Sequence, residues 1–313
     1  TVEYSGTAQT VRNTSYTNLT LSGSGNKTMA AFAVSGKLSL QGTAAAITTA
    51  PSSIGTLEYK GSSSQTTTAI EWPSSGVTNV IIDNSAGVTM GSGLSRTISG
   101  SLTLTSGTLT TAANTLTYSG SSISRASGSI DASNVSGVVA FTNTTGVTLP
   151  ASLFSGTVST FTVNGSGGLT LGGNTTIGTL NLTSGILTVG SANTVTINSG
   201  GSVARTSGAL ASGTGAGKFS FSGTGTVSST VGFNDVDIAG GVNFGTASTI
   251  NGTLTINGGG FVNTNAPIYA STSTLLYNSG STYGRGTEWS ATSGAGYPNN
   301  VQISNTTTLN LGA

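Results

Sequence analysis

The sequence has no cysteine, no histidine and very little charge. Its 313 residues contain 9 Lys and Arg against 8 Asp and Glu, together with 48 glycines. The lack of cysteine excludes disulfides, thiolate catalysis and cysteine-type zinc sites, and the lack of histidine removes the commonest metal ligand and general base. Because a net charge of +1 provides no clustered basic surface, nucleic acid is not an expected partner.

Neither a transmembrane helix nor a signal peptide can be recognised in the sequence. No run of about 18 apolar residues is present, and the sequence as given begins at Thr1 without a charged and then apolar segment. The abundance of Gly, Ser and Thr raises disorder as an alternative. However, 35% hydrophobic residues and a mean hydropathy of +0.14 favour a folded chain, because disordered chains lack the apolar residues that form a core.

A long internal repeat is the clearest pattern in the sequence. The stretch LTLTSGTLTTAANTLTYSGSSISRASG from residue 102 returns as LNLTSGILTVGSANTVTINSGGSVARTSG from residue 180. Leu102 matches Leu180 at an offset of 78 (180 − 102), and Phe141 matches Phe221 at an offset of 80 (221 − 141). The drift by single positions is typical of insertions at turns between repeated elements.

A second pair of segments recurs at a larger separation. The matching residues are Tyr59 and Tyr277, Glu71-Trp72 and Glu288-Trp289, and residues 79–82 and 300–303. The N-terminal VEYSGTAQTV followed by NLTLSG is a third and shorter copy. The whole chain is therefore composed of one kind of unit.

Short runs of alternating apolar residues predict an all-β chain. Each run covers three to five residues and ends in a Ser-Gly, Asn-Gly, Gly-Gly or Gly-Ser turn signal. The apolar pairs include Leu19/Leu21, Leu38/Leu40, Leu102/Leu104, Leu180/Leu182 and Leu309/Leu311. Equivalent strands recur at intervals of roughly 14 to 22 positions, so several strands make up each longer unit, as in repeat architectures.

A parallel β-solenoid explains this composition better than a propeller, an antiparallel sandwich or a membrane barrel. Successive coils stack about 4.8 Å apart, so equivalent side chains lie above one another. Stacked like charges repel, whereas stacked Ser, Thr and Asn form hydrogen bonds and stacked Leu, Ile and Val interdigitate. We predict one continuous solenoid over residues 1–313, with short strands, irregular coil lengths and approximate sub-repeats 1–55, 56–133, 134–213, 214–268 and 269–313.

Three segments resemble the repetitive β-helical surface proteins of Gram-negative bacteria. They are VEYSGTAQTV with NLTLSG, SLTLTSGTLTTAANTLTY, and YNSGSTYGRGTEWSATSGAGYPNNVQISN. The likeness is greatest to the large proteins, adhesins among them, that Bacteroidota export by the type IX secretion system, and is more distant to autotransporter passengers. The resemblance implies a right-handed parallel β-helix, an extracellular or cell-surface location, a role in adhesion, matrix formation or gliding, and no catalytic motif.

These observations lead to an expected function as a structural and adhesive rod without enzymatic activity. Because both ends fall on strands without a polar cap, we also expect the chain to be a slice of a longer surface protein. Its expected partners are the rest of that protein, the secretion machinery, and surface glycans or second copies of the chain. A carbohydrate-active enzyme or glycan-binding module stays open as an alternative, as does an ice-binding protein with a flat array of Thr.

Asp235 and Asp237 are the candidate metal ligands. They lie two residues apart, so a strand places both carboxylates on one face, where clustered oxygens could bind Ca²⁺. The alternative is a solvated outer face opposite Val236 and Ile238. Since no Gly-x-Asp repeat of the calcium-binding type accompanies them, the outer-face interpretation is favoured, and no cofactor is predicted.

The remaining polar candidates are interpreted as structural. Glu71 and Glu288 suggest the paired carboxylates of glycoside cleavage, but their recurrence beside a tryptophan favours a structural element, with the ring covering a turn. Arg125 and Arg205 occupy matching positions and are expected to donate to turn carbonyls or to point to solvent. Asn-x-Ser/Thr sequons, such as those at Asn143 and Asn251, matter only in a host that glycosylates them.

Overall fold

The fold is the all-β solenoid that the sequence predicts. A computed structural model describes residues 1–211, 217–228 and 230–312, apart from the side chains of 44–46, and parallel strands stack in it in about 13 turns. The predicted sub-repeat boundary at 213/214 lies outside the described residues. The chain divides into two compact units, Thr1–Ser159 and Thr160–Ala313, and the division falls within one strand, Val158–Asn164.

The first unit is built from short parallel strands that repeat three times per coil. The strands are β1 (Val2–Tyr4), β2 (Gln9–Val11), β3 (Ser15–Tyr16), β4 (Leu19–Leu21), β5 (Ser24–Met29), β6 (Ala33–Ile47), β7 (Ile54–Gly61), β8 (Gln65–Thr66), β9 (Asn79–Asp83), β10 (Val88–Thr89), β11 (Arg96–Ile98), β12 (Ser101–Ser106), β13 (Thr108–Thr110), β14 (Thr115–Tyr118), β15 (Ser122–Arg125), β16 (Ser129–Asp131), β17 (Val138–Phe141) and β18 (Val147–Leu149). One sheet has the order β1-β4-β6-β7-β9-β12-β15, a second contains β8, β10, β13 and β16, and β11, β14 and β17 pair in parallel on a third face.

The second unit has the same construction. Its strands are β19 (Val158–Asn164), β20 (Leu169–Leu171), β21 (Thr175–Ser184), β22 (Ile186–Val189), β23 (Thr194–Arg205), β24 (Ala209–Leu210), β25 (Lys218–Phe221), β26 (Gly225–Val227), β27 (Gly232–Phe233), β28 (Asp235–Ile238), β29 (Gly241–Asn243), β30 (Thr249–Ile250), β31 (Thr253–Asn257), β32 (Phe261–Val262), β33 (Ile268–Tyr269), β34 (Thr274–Asn278), β35 (Thr282–Gly284), β36 (Asn300–Ile303) and β37 (Thr308–Asn310). A short 3-10 helix, Thr287–Trp289, lies between β35 and β36. Its main sheet includes β21-β23-β25-β28-β31-β34-β36 in this order.

Coil lengths are irregular, as predicted, and the longest coils exceed the predicted interval. Along one inner column of the first unit, the offset between register partners is 17 from Val2 to Leu19 (19 − 2) but 23 from Leu57 to Val80 (80 − 57). In the second unit, Leu275 pairs with Val301 at an offset of 26 (301 − 275). Along each of these two columns the longest coil is the one that contains the Glu-Trp pair, so both pairs lie in extended loops.

Inward columns of apolar side chains form the core of each unit. The Leu residues of the duplicated stretch are buried in both copies, with no more than 1% of their surface exposed: Leu102, Leu104, Leu109, Leu180, Leu182 and Leu187. The prediction that these residues fill the interior of the coils is confirmed. Leu311 of the predicted Leu309/Leu311 pair follows β37 and is 51% exposed.

Glycine supplies the corner of the duplicated stretch. Gly107 and Gly185 occupy matching positions and have φ values of +74° and +73°. This left-handed region is open to glycine at no steric cost. A Cβ at Gly107 would overlap the carbonyl oxygen of Asn84, and one at Gly185 would overlap that of Gly165, so close coil contact and backbone conformation both require glycine.

The outer faces carry polar pairs between neighbouring coils. The Ser124 hydroxyl donates to that of Thr103 at 3.2 Å. Three pairs of opposite charges join neighbouring strands: Lys37 with Glu58 at 2.9 Å, Lys60 with Asp83 at 2.8 Å and Lys218 with Asp237 at 2.8 Å. Opposite charges on adjacent strands stabilise the stack, whereas like charges there would repel.

Candidate functional site

The candidate calcium ligands lie on the outer face of β28. Asp235 and Asp237 point away from the core, where the alternate residues of the strand are buried. Asp237 pairs with Lys218, and Asp235 Oδ1 accepts a hydrogen bond from the Thr253 backbone N–H at 2.7 Å. Both carboxylates are thus engaged by neighbouring strands, and within the described ranges no group of three or more acidic side chains comes together.

The two matching arginines both hold the turn that follows their strand. Arg125 Nε donates to the Gly128 carbonyl oxygen at 2.6 Å, and Arg205 Nε donates to that of Gly208 at 2.6 Å. The same contact at the same distance in both copies confirms the expectation that these side chains donate to turn carbonyls. The sequon at Asn143 has a similar role, because this residue is 1% exposed and its amide donates to the carbonyl of Thr145 at 2.7 Å.

Glu71 is a buried carboxylate in the core of the first unit. Its exposed fraction is 2%, and Oε1 accepts the Tyr59 hydroxyl at 3.0 Å. The backbone N–H and the hydroxyl of Thr68 donate to Oε1 and Oε2, respectively. Trp72 is fully buried, and its Nε1 donates to the Thr97 carbonyl at 3.3 Å. The tryptophan is therefore part of the core of the first unit.

A buried arginine accompanies Glu71. Arg96 shares the inward side of β11 with Ile98 and is 2% exposed. Burial lowers the pKa of Arg96, while the charge of Glu71 opposes this decrease. Arg96 Nη1 donates to the Ser95 carbonyl oxygen at 3.0 Å, whereas Nε and Nη2 are buried without a hydrogen-bond partner among the described residues.

Glu288 is the corresponding carboxylate of the second unit. It is fully buried on the 3-10 helix, and Oε1 accepts the Tyr277 hydroxyl at 3.1 Å and the Gly286 N–H at 2.7 Å. Its Oε2 is also buried and has no hydrogen-bond partner of normal geometry among the described residues. Tyr283 is its nearby polar neighbour, and the Tyr283 ring packs on that of Tyr277 with the centroids 5.2 Å apart.

One sequence difference explains why the two carboxylates differ. Thr68 precedes Glu71 by three residues and supplies the hydroxyl that satisfies Oε2. The residue three positions before Glu288 is Arg285, whose guanidinium lies 5.8 Å from the centre of the Trp289 ring. The second copy therefore keeps the tyrosine contact and loses the threonine contact.

Each carboxylate borders a cavity within its own unit. The cavity beside Glu71 and Tyr59 has a volume of about 200 Å³ and is lined mostly by Ser, Thr and Gln side chains. The half-buried Leu40 also lines it, which explains why this residue of the predicted Leu38/Leu40 pair is not fully enclosed. The cavity beside Glu288 is larger, about 490 Å³, and includes the aromatic rings of Phe261 and Tyr283.

The tyrosines beside these carboxylates are held in the protonated state. Burial, and then the charge of Glu71, raises the pKa of Tyr59 well above its usual value. Burial and the charge of Glu288 likewise raise the pKa of Tyr277 and of Tyr283. The hydroxyls of Tyr59 and Tyr277 are therefore hydrogen-bond donors to the carboxylates over the whole neutral range.

Two buried cations were missed by the sequence interpretation. Lys27 is fully buried, and its Nζ donates to the Gly6 and Thr7 carbonyls at 2.6 and 2.7 Å, while burial lowers its pKa. Both residues can be recognised from the alternation of inward and outward positions along a strand. Lys27 lies on the same face of its strand as Met29, and Arg96 lies on the same face as Ile98. A charged residue on the apolar phase of a strand indicates a buried polar site.

Comparison of the chain with protein-family models, with curated proteins and with solved structures gives no match. Among the described residues, no helix has the length and apolar character needed to cross a membrane. The class to which the chain belongs is therefore given by its own architecture, a parallel β-solenoid. Within the described residues, each unit contains a buried tyrosine–glutamate pair, Tyr59 with Glu71 and Tyr277 with Glu288.

Proposed function

We propose that the chain is a structural and adhesive segment of a bacterial cell-surface or secreted protein, and that it has no catalytic role. The observation that carries the proposal is the pairing of outer side chains from coil to coil in both units. Hydroxyl pairs such as Thr103 with Ser124, and ion pairs such as Lys218 with Asp237, tie each coil to the next. Such a scaffold presents repeated polar surface on short, mutually supporting strands.

The composition of the two cavities supports a non-catalytic role. Among the described residues that line them, Glu71 is the acidic residue of one cavity and Glu288 that of the other. Glycoside cleavage needs an acid and a second carboxylate about 5 to 10 Å apart on the same bond. A single carboxylate per cavity fits binding better than hydrolysis.

The outer columns also differ from the flat Thr array of an ice-binding face. In the second unit, one outward column of register partners consists of Thr176, Thr196, Ser220, Asp237, Thr255, Leu276 and Gln302. Mixed side chains suit a surface that contacts glycans or second copies of the chain. The resemblance to exported surface proteins of Bacteroidota supports the same proposal, with the rest of a longer protein and a type IX secretion system as further partners.

Adhesion of chain-coated beads tests this function. Beads carrying folded residues 1–313 are expected to be retained under flow on a printed polysaccharide array, or on a surface coated with the same chain. Beads carrying the urea-unfolded chain serve as the control and are expected to wash off.

Equal retention of folded and unfolded chain on every surface would contradict the adhesive function. Release of new reducing ends from the same polysaccharides would instead favour the enzyme alternative, because hydrolysis creates one reducing end per bond cleaved.

A further inference from the structure

Glu288 is one of the few buried polar side chains of the described residues that lack a full set of hydrogen-bond partners. The residue is fully buried, Oε1 is occupied by Tyr277 and Gly286, and Oε2 accepts no hydrogen bond of normal geometry from the described residues. A buried carboxylate oxygen without a donor is costly. Glu288 also lines a cavity of about 490 Å³, so the cavity is the side from which a donor would approach this oxygen.

The walls of this cavity combine aromatic and hydroxyl groups. Phe261 is 49% exposed, and Tyr283 is half-buried. Hydroxyls are contributed by Ser281, Thr282 and Thr287. Its volume lies within the range of about 300 to 1,000 Å³ that is typical of small-molecule sites, where aromatic walls combine with a few placed polar groups.

The first unit provides an internal comparison. Glu71 has the same tyrosine partner type, but the Thr68 hydroxyl occupies its Oε2 and the neighbouring cavity is smaller, about 200 Å³. Arg285 occupies the position in the second unit that Thr68 occupies in the first. Glu288 Oε2 therefore lacks the hydroxyl partner that Glu71 Oε2 has, while the buried tyrosine–glutamate pair is retained.

We propose that the cavity beside Glu288 binds a saccharide, with one sugar hydroxyl donating to Glu288 Oε2. Sugar hydroxyls both donate and accept, so they match a carboxylate surrounded by Ser and Thr hydroxyls. The C–H face of a sugar ring packs on exposed aromatic rings such as Phe261 and Tyr283. The site deepens the proposed adhesive function and rests on it, since it supplies a specific glycan contact to the scaffold.

Saturation-transfer NMR on the full chain tests this site with cellobiose, lactose and N,N′-diacetylchitobiose as probes. The wild-type chain is expected to bind at least one of them at millimolar concentration. Glu288→Gln retains an oxygen that can accept from Tyr277 and Gly286 but presents an amide donor to the cavity, so binding is expected to weaken about tenfold or more. Phe261→Ala, at a half-exposed position, is expected to weaken binding as well.

Glu71→Gln is the matched control, because it makes the same change at the closed carboxylate. Its affinity for the probe is expected to stay within about twofold of the wild type, since a tenfold change corresponds to a lost charged hydrogen bond. Circular dichroism checks that each variant folds. If Glu288→Gln does not fold, Phe261→Ala still tests the site.

Three results would overturn the saccharide site. They are no binding of any probe to the wild type, wild-type affinity in the variants of Glu288 and Phe261, and equal weakening by Glu71→Gln and Glu288→Gln. The bead experiment separates this failure from that of the adhesive function. If Glu288→Gln beads adhere as well as wild-type beads, adhesion takes place at another surface of the chain and only the saccharide site is contradicted. If wild-type beads do not adhere, the adhesive function itself is contradicted.

Discussion

Gly107→Ala is expected to lower the free energy of unfolding by about 2 to 5 kcal/mol. The backbone of Gly107 has φ of +74°, which costs a residue with a Cβ about 1 to 2 kcal/mol. The new Cβ would also overlap the carbonyl oxygen of Asn84, so the corner must move away from the coil below. Overpacking of this kind typically adds about 1 to 3 kcal/mol. Urea unfolding followed by circular dichroism measures the sum.

Gly93 offers a control that separates the two causes. Its φ is +69°, but a Cβ there would have open space within 4 Å. Gly93→Ala is therefore expected to cost only the backbone contribution, about 1 to 2 kcal/mol. If Gly93→Ala and Gly107→Ala destabilised the chain equally, close packing of the corner on the neighbouring coil would be contradicted.

Ile82→Ala is expected to destabilise the chain by about 2 to 5 kcal/mol, the usual cost of truncating a fully enclosed isoleucine. Ile82 is fully buried on β9, which lies between β7 and β12 in the first unit. The truncation removes apolar contacts and leaves a cavity between coils. A decrease in the urea midpoint at an unchanged slope would show the loss of stability.

Ile303 is the matching residue of the second unit and serves as the comparison. It lies on β36, pairs with Tyr277 on β34 and is 49% exposed. Ile303→Ala is expected to cost less than about 1 kcal/mol, because a half-exposed side chain leaves no enclosed cavity. Equal losses of stability for Ile82→Ala and Ile303→Ala would contradict the claim that an inward side chain stabilises the fold most where a coil covers it on each side.

The fold could be predicted from the sequence because its signals are local. Alternation at Leu102 and Leu104 identifies the inward phase, and the matching glycines at 107 and 185 mark corners whose φ values are both positive. These properties depend on a few neighbouring residues and on the requirement that adjacent coils match. The exposure of Leu311 could not be predicted in this way, since alternation does not show whether a neighbouring strand covers a residue.

The site was less predictable because it depends on contacts between segments far apart in sequence. Recurrence indicated that Glu71 and Glu288 belong to equivalent elements of the two units, but not that both are buried against a tyrosine. The contact of Tyr59 with Glu71 spans twelve residues, and the role of Thr68 depends on a loop conformation that no periodicity specifies. Arg96 is a charged residue at a position of its strand where the alternation predicts an apolar one. It was the sequence signal that indicated a buried polar cluster.

Disulfide formation between two introduced cysteines tests the central claim, that neighbouring coils are parallel and in register. Thr103 and Ser124 are register partners on β12 and β15, and the chain has no cysteine of its own. Paired parallel strands lie about 4.8 Å apart, within the Cα separations of about 4.4 to 6.8 Å that disulfides span. Thr103→Cys/Ser124→Cys is therefore expected to oxidise to an intramolecular disulfide, detected by mass spectrometry.

Thr103→Cys/Ser122→Cys is the matched control for that measurement. Ser122 pairs with Ser101, so this second pair is two residues out of register and is expected to stay reduced. Rapid bridging of the first pair alone is the result that in-register stacking predicts. Bridging of both pairs at similar rates, or of the second pair alone, would contradict the register on which the core, the corners and both buried carboxylates depend.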